Sequence, residues 1–99
     1  GEGQKYYEND SIVLYRVTKR ACSDLGYQIT DDIQSGTSFS FTASMNNSFK
    51  IKIAQVDPKI TKVSIRVNFM GDKPYAELIY KKIDEGLSTI KFENGVPVR

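Results

Sequence analysis

Apolar and polar residues alternate in three consecutive segments of residues 38–67, SFSFTASMNNSFKIKIAQVDPKITKVSIRV. The first segment places Phe39 and Phe41 between serines and threonine, and the next two repeat the pattern with isoleucine, valine, lysine and arginine. Turn-forming residues around Asn47 and Pro58 separate the segments. Because successive side chains of a strand point to opposite faces, this period of two predicts three antiparallel strands with one apolar face and one solvated face.

Helical periodicity flanks this region on both sides. In residues 11–25 the apolar positions recur at steps of three and four, and Gly26 is expected to end that helix. Residues 75–87 carry a second apolar stripe, with Asp72 as a candidate N-cap and Gly86 expected near the helix end. Two apolar stripes and one apolar sheet face have to cover each other, so both helices are expected on the same side of the sheet.

The sequence therefore predicts an α+β fold, a two-layer sandwich in which two helices cover one face of an antiparallel sheet of four to five strands. The predicted order is (β)-α-β-β-β-β-α, where the first strand is a candidate edge strand within the N-terminal segment 1–10. Residues 11–87 are expected to form a single domain, and residues 88–99 a C-terminal tail without clear period. The alternating segment that follows the first helix is expected to place Ile29 and Ile33 on the apolar side.

The composition lacks the residue types on which most catalytic and metal-binding sites depend. The chain has no histidine and one cysteine, Cys22, which lies on the apolar stripe of the first helix and is expected to be a buried thiol. The adjacent carboxylates Asp31 and Asp32, and likewise Asp84 and Glu85, are expected to diverge, because neighbouring side chains of a strand or helix point in different directions. No serine lies in a nucleophile motif. We expect no enzyme activity, no metal and no cofactor.

Positive charge is concentrated in the alternating region. The net charge is only +2, yet this region carries five basic residues against the single acid Asp57. Four of the bases fall on the polar side of the last two alternating segments and form a candidate basic surface: Lys50, Lys52, Lys62 and Arg66. No aromatic residue interleaves with these four, so nucleic acid is not expected as a partner. Anionic lipid headgroups need only the charge, and an ordinary solvated sheet face is the other interpretation.

The apolar side of the sheet offers a second candidate site, a cavity between the sheet and the C-terminal helix that holds a small apolar ligand. The tyrosines of the C-terminal helix, Tyr75 and Tyr80, are placed at its mouth. The ligand-binding residues under this hypothesis are Phe39, Phe41, Ile51, Ile65, Phe69, Tyr75, Ile79, Tyr80 and Ile83. Close packing of the same side chains into an ordinary core is the competing interpretation.

Four short motifs carry a family resemblance. They are Leu25-Gly26-Tyr27, Ser35-Gly36-Thr37, the segment TKVSIRV at residues 61–67, and Gly71-Asp72-Lys73. In this order and spacing they resemble a family of small bacterial lipoproteins of unassigned function that includes a virulence-associated lipoprotein of Francisella. The similarity spans about residues 11–87, and the chain is most like the soluble domain of that kind of protein.

The resemblance implies a helix-grip-like fold and an outer-membrane location in the Gram-negative cell envelope. It implies attachment to the membrane through an N-terminal lipidated cysteine, which is not Cys22, because Lys19 and Arg20 shortly before it do not suit a lipidation site. It brings no catalytic residues. Two functions are expected: a non-enzymatic, virulence-associated lipoprotein domain that binds a small apolar ligand, or an interaction module whose basic surface contacts anionic lipid or a host protein.

Overall fold

The computed structural model describes residues 2–67, 70–93 and 96–98 of the chain. The described residues form a five-stranded sheet, two α-helices, a 3-10 turn and a short C-terminal pair of strands. In chain order the elements are β1 (Glu2–Tyr7), α1 (Ser11–Asp24), β2 (Gln28–Ser35), β3 (Ser38–Ser44), β4 (Ser48–Asp57), β5 (Ile60–Val67), the turn Met70–Asp72, α2 (Lys73–Thr89), β6 (Lys91–Glu93) and β7 (Val96–Val98). The predicted α+β class and the predicted order of elements are confirmed.

The main sheet has the strand order β1-β5-β4-β3-β2, and each neighbouring pair is antiparallel. The three alternating segments form consecutive hairpins at its centre. Phe41 lies opposite Ile51, and Ile51 lies opposite Ile65. Since directly opposed residues share a face, this register gathers the apolar positions of β3, β4 and β5 on one side of the sheet.

Both helices cover that apolar side, as predicted. α1 contacts β2, β3, β4 and β5, whereas α2 contacts α1 and β5. The core between the two layers is continuous, and its largest fully buried side chains are Leu14, Phe41, Phe49, Ile51, Ile53, Val63, Ile65, Ile79 and Ile83. Burial of these groups is the main favourable contribution to folding, at roughly 1.5–3 kcal/mol for each large apolar side chain.

α1 ends where the sequence predicts, because Gly26 adopts the left-handed conformation (φ 93°) that glycine tolerates best. The predicted end of α2 at Gly86 is wrong, since the helix continues to Thr89. Gly86 lies at the contact between the helices, where a Cβ atom would come within 2.9 Å of Val17 Cγ1. The missing side chain at residue 86 therefore allows α1 and α2 to approach closely.

β2 departs from the predicted alternation. Thr30 lies opposite Thr42 and Ile33 opposite Ser40, so two residues of β2 face the single residue between their partners. This is a β-bulge, and Asp31 within it has a positive φ of 52°. The extra residue reverses the side of the sheet that the following residues face. Ile33, expected on the apolar side, is exposed on the opposite side, and that prediction is wrong.

The bulge also brings Asp32 to the helix side of the sheet. The Asp32 carboxylate accepts hydrogen bonds from the Tyr15 hydroxyl (2.8 and 2.9 Å) and from the Lys19 ammonium (2.7 Å). The hydrogen bond from Lys19 lowers the pKa of Asp32. Tyr15 in turn stacks on Phe39, with ring centroids 4.3 Å apart. These contacts fasten α1 to the edge of the sheet.

β1 completes the opposite edge and is longer than the predicted edge strand. It pairs with β5 from Glu2 opposite Arg66 to Tyr7 opposite Thr61. α2 holds this edge, because the Tyr80 hydroxyl donates hydrogen bonds to carbonyl oxygens of both β1 and β5. The tail expected after residue 87 contains the last turn of α2 and the antiparallel pair of β6 and β7.

The core and the outer surface should respond differently to truncation. Phe41→Ala is expected to lower the free energy of unfolding by about 3–5 kcal/mol, because Phe41 is fully buried beneath the helices. Lys52→Ala, on the exposed side of β4, should change it by less than about 0.5 kcal/mol. Urea denaturation followed by circular dichroism measures both values. Equal effects would contradict the one-sided core.

Because Gly86 of α2 lies against Val17 of α1, substitutions at these two positions are expected to be energetically coupled. Gly86→Ala should lower stability by about 1 kcal/mol, because the new methyl group overlaps Val17 and this outweighs the helix propensity of alanine. In a Val17→Ala background the overlap is removed, and Gly86→Ala should raise stability by about 1 kcal/mol. Thermal and urea denaturation of the four proteins give the coupling. The same sign in both backgrounds would refute the close approach.

Candidate functional site

The sheet face opposite the helices is the candidate site, and we call it the basic sheet face. It carries the polar positions of β3, β4 and β5, together with Gln4 and Tyr6 of β1 and Ile33 of β2. Arg66 and Lys50 are opposed on neighbouring strands. One step along, Ser64 lies opposite Lys52, and one step further Lys62 lies opposite Ala54. The four predicted basic residues are therefore brought together on two adjacent strands.

The charges of this cluster are available to a partner. Among the described side chains none of Lys50, Lys52, Lys62 and Arg66 forms an ion pair. Lys52 and Arg66 are exposed, and the other two are half-buried. Ser64, which lies between them, is buried to 4% exposure, so neighbouring side chains cover the backbone at the centre of the patch. Long basic side chains can cover a sheet in this way while their charged ends stay in water.

One aromatic residue does lie on this face. Tyr6 of β1 is opposite Lys62 and is 59% exposed, whereas the next residue, Tyr7, points to the core and is buried. The expectation of a basic surface without an aromatic side chain is wrong, because it considered only the alternating region. Adjacent tyrosines in a strand indicate that one of them faces away from the core. Only the pairing of β1 with β5 shows that this one is Tyr6 and that it lies beside the bases.

The residues predicted to bind an apolar ligand lie mainly in the core. Five of them are fully buried: Phe41, Ile51, Ile65, Ile79 and Ile83. Phe39 is buried beneath Tyr15. Tyr75 is 51% exposed, and the hydroxyl of Tyr80 bonds to Gly3 and Val63 carbonyl oxygens at 2.9 and 3.2 Å. Phe69 lies outside the described residues.

Three surface depressions are lined by described residues, and none of the three contains a member of the predicted ligand-binding set. One, of about 810 Å³, lies at the β4–β5 turn and is lined by Glu8, Asp10, Asp57, Pro58, Lys59 and Ile60. Another, of about 570 Å³, runs along α1 and ends at Ile90. The smallest lies between the ends of the two helices. The apolar-ligand site stays a prediction.

The described residues show the expected separation of candidate catalytic groups. Cys22 is buried as predicted, and burial raises its thiol pKa to about 12. The bulge separates Asp31 from Asp32, which bonds to α1. No group of three or more potential metal ligands occurs among these residues, and none of their helices meets the length and hydrophobicity of a membrane span. The absence of enzyme activity stays a prediction.

Comparison with protein families gives a match over residues 1–86 to DUF3568, a family of proteins of unknown function. The chain belongs to this family. A search of curated proteins finds no match. The family carries no functional description, so the lipid anchor, the envelope location, the resemblance to a Francisella lipoprotein and a role in virulence all stay predictions.

Cys22 should be unreactive in the folded protein. Its raised pKa keeps the thiol protonated near neutral pH, and the side chain is fully buried. We expect a disulfide reagent at pH 8 to label native protein at least about 100-fold more slowly than urea-unfolded protein. Absorbance of the released thiolate gives both rates. Rapid labelling of the folded chain would show that the thiol is accessible and suited to chemistry.

Proposed function

We propose that this chain is a non-enzymatic domain of a lipoprotein of the bacterial envelope, and that its basic sheet face binds anionic lipid headgroups. The observation that carries the proposal is the grouping of four bases, without ion pairs among the described side chains, on the sheet face that neither helix covers. The lipoprotein assignment is supported by the resemblance of the motifs around Gly26, Gly36 and Gly71.

Under this proposal the charges of the basic sheet face supply the binding free energy. Each base near an anionic membrane contributes about 1 kcal/mol at physiological ionic strength. The four bases point to the same side and act together, whereas the whole chain carries a net charge of only +2. Their effect therefore depends on the face that the domain presents, and the domain binds in a preferred orientation.

The position of β1 is consistent with a membrane tether. β1 begins at Glu2, which lies opposite Arg66 at the same end of the sheet as Lys50. A lipidated segment that precedes β1 would therefore emerge from the domain next to Arg66 and Lys50. The anchor would then hold the basic sheet face close to the headgroups, and weak charge interactions would be strengthened by the high local concentration.

The proposal is tested by neutralising the face. Lys50→Gln, Lys52→Gln and Lys62→Gln in one protein change the net charge from +2 to −1. The matched control combines Arg16→Gln, Lys73→Gln and Lys81→Gln, which change the charge equally at exposed residues of the two helices. Binding to phosphatidylglycerol vesicles, measured by sedimentation, should weaken about 100-fold in the first protein and far less in the control.

High salt provides a second condition. Binding of the unmodified protein to phosphatidylglycerol vesicles should weaken as ionic strength rises from about 0.05 to 0.5 M, because exposed charges are screened. Vesicles of phosphatidylcholine alone should bind weakly at every ionic strength. An equal loss in both triple variants, or equal binding to the two lipids, would overturn the proposal.

The alternative function is binding of a small apolar ligand between the sheet and α2. One observation favours it: a fully buried hydroxyl group, that of Thr18, has no hydrogen-bond partner among the described residues. Leaving such groups unpaired costs free energy that a polar group of a ligand would recover. A molecule retained by the purified protein in native mass spectrometry would support this function, and its absence under gentle ionisation would count against it.

A further inference from the structure

We propose that the basic sheet face contacts an anionic membrane, with Tyr6 and Ile33 entering the headgroup region at its two edges. This inference rests on the proposed function and specifies it further. Charge alone attracts the domain to any polyanion, whereas apolar side chains at the margins of the charged area select a lipid surface. The two residues belong to the first and last strands of the sheet order.

Tyr6 supplies the first contact. It follows the alternation of β1, so its ring projects from the basic sheet face beside Lys62 and is 59% exposed. Tyrosine suits the boundary between headgroups and hydrocarbon, because its ring is apolar and its hydroxyl can remain hydrated. The adjacent ammonium of Lys62 would meet a phosphate at the same depth.

Ile33 supplies the second contact, and it owes its position to the bulge. Without the extra residue in β2, the alternation would turn Ile33 toward the helix side of the sheet. With it, Ile33 lies opposite Ser40, which is itself opposite Lys52, and the isoleucine is 57% exposed. An exposed isoleucine contributes nothing to the core, but its transfer into a membrane interface is favourable.

The spacing of these groups fits a surface rather than a pocket. β1 and β2 are the two edges of a five-stranded sheet, so at about 4.8 Å between strands they lie about 19 Å apart. The basic residues are on β4 and β5, between the two apolar contacts. The bases and the two apolar residues thus belong to one face and are spread across its whole width, as contact with a surface requires. A soluble polyanion offers charge but no apolar phase for the isoleucine.

The test uses the absence of tryptophan from this chain. Tyr6→Trp and Ile33→Trp each introduce a single fluorescent reporter, and Tyr75→Trp is the control, because Tyr75 is similarly exposed but lies on α2. Phosphatidylglycerol vesicles containing lipids brominated close to the headgroup should quench the first two proteins by at least about half. The control should show little quenching. Sedimentation of the same samples measures binding independently.

A substitution pair measures the contribution of the two side chains. Tyr6→Ser with Ile33→Ser should weaken vesicle binding about tenfold and leave binding to a soluble polyanion such as heparin unchanged. Tyr75→Ser with Ile12→Ser is the control, since these residues are exposed on the helices. Circular dichroism of each protein checks that the fold is retained.

The outcomes separate this inference from the proposed function. Vesicle binding that is sensitive to salt but leaves both reporters unquenched would overturn the insertion and leave the proposed function standing. Failure to bind anionic vesicles would overturn both. If a single-stranded oligonucleotide quenches the Tyr6→Trp protein and competes with vesicles at equal charge concentration, the face recognises nucleic acid, and the membrane orientation is wrong.

Discussion

The hydrogen-bond register of β3, β4 and β5 is the constraint on which the rest of the structure depends. It aligns Phe41, Ile51 and Ile65 on one side of the sheet. The same ladder aligns Lys50 with Arg66 on the other side. A slip of one residue would place charged side chains beneath the helices and phenylalanines in water, at a cost that no local contact could offset. The core and the basic sheet face are therefore two results of one pairing pattern.

Local periodicity in the sequence was sufficient to predict the central strands, both helices and their common side. It could not predict the bulge, because the reversal after Asp31 depends on a left-handed backbone conformation that aspartate tolerates but does not require. The sequence also did not predict the end of α2. Glycine commonly ends helices, but Gly86 lies within α2 and permits close contact with Val17. In both places a tertiary requirement outweighed the local preference of the residue.

The candidate site was predictable to the same extent. The four bases follow directly from the alternation of residues in β4 and β5. The apolar margins do not, because the position of Tyr6 depends on a partner strand far away in sequence, and that of Ile33 depends on the bulge. Neither helix covers this face, and the described side chains leave its bases without acidic partners. Its composition is thus the most direct structural clue to how the domain works.

The pairing of β1 with β5 also sets the order in which the domain can mature. Glu2 leaves the ribosome long before Arg66, its partner in the ladder. Contacts of such long range close late, because the loop between them must first be ordered. Until then the edge of β5 lacks its neighbour, and the Tyr80 hydroxyl lacks the Gly3 carbonyl oxygen to which it donates. β1 can therefore join the sheet only after β5 has been synthesised.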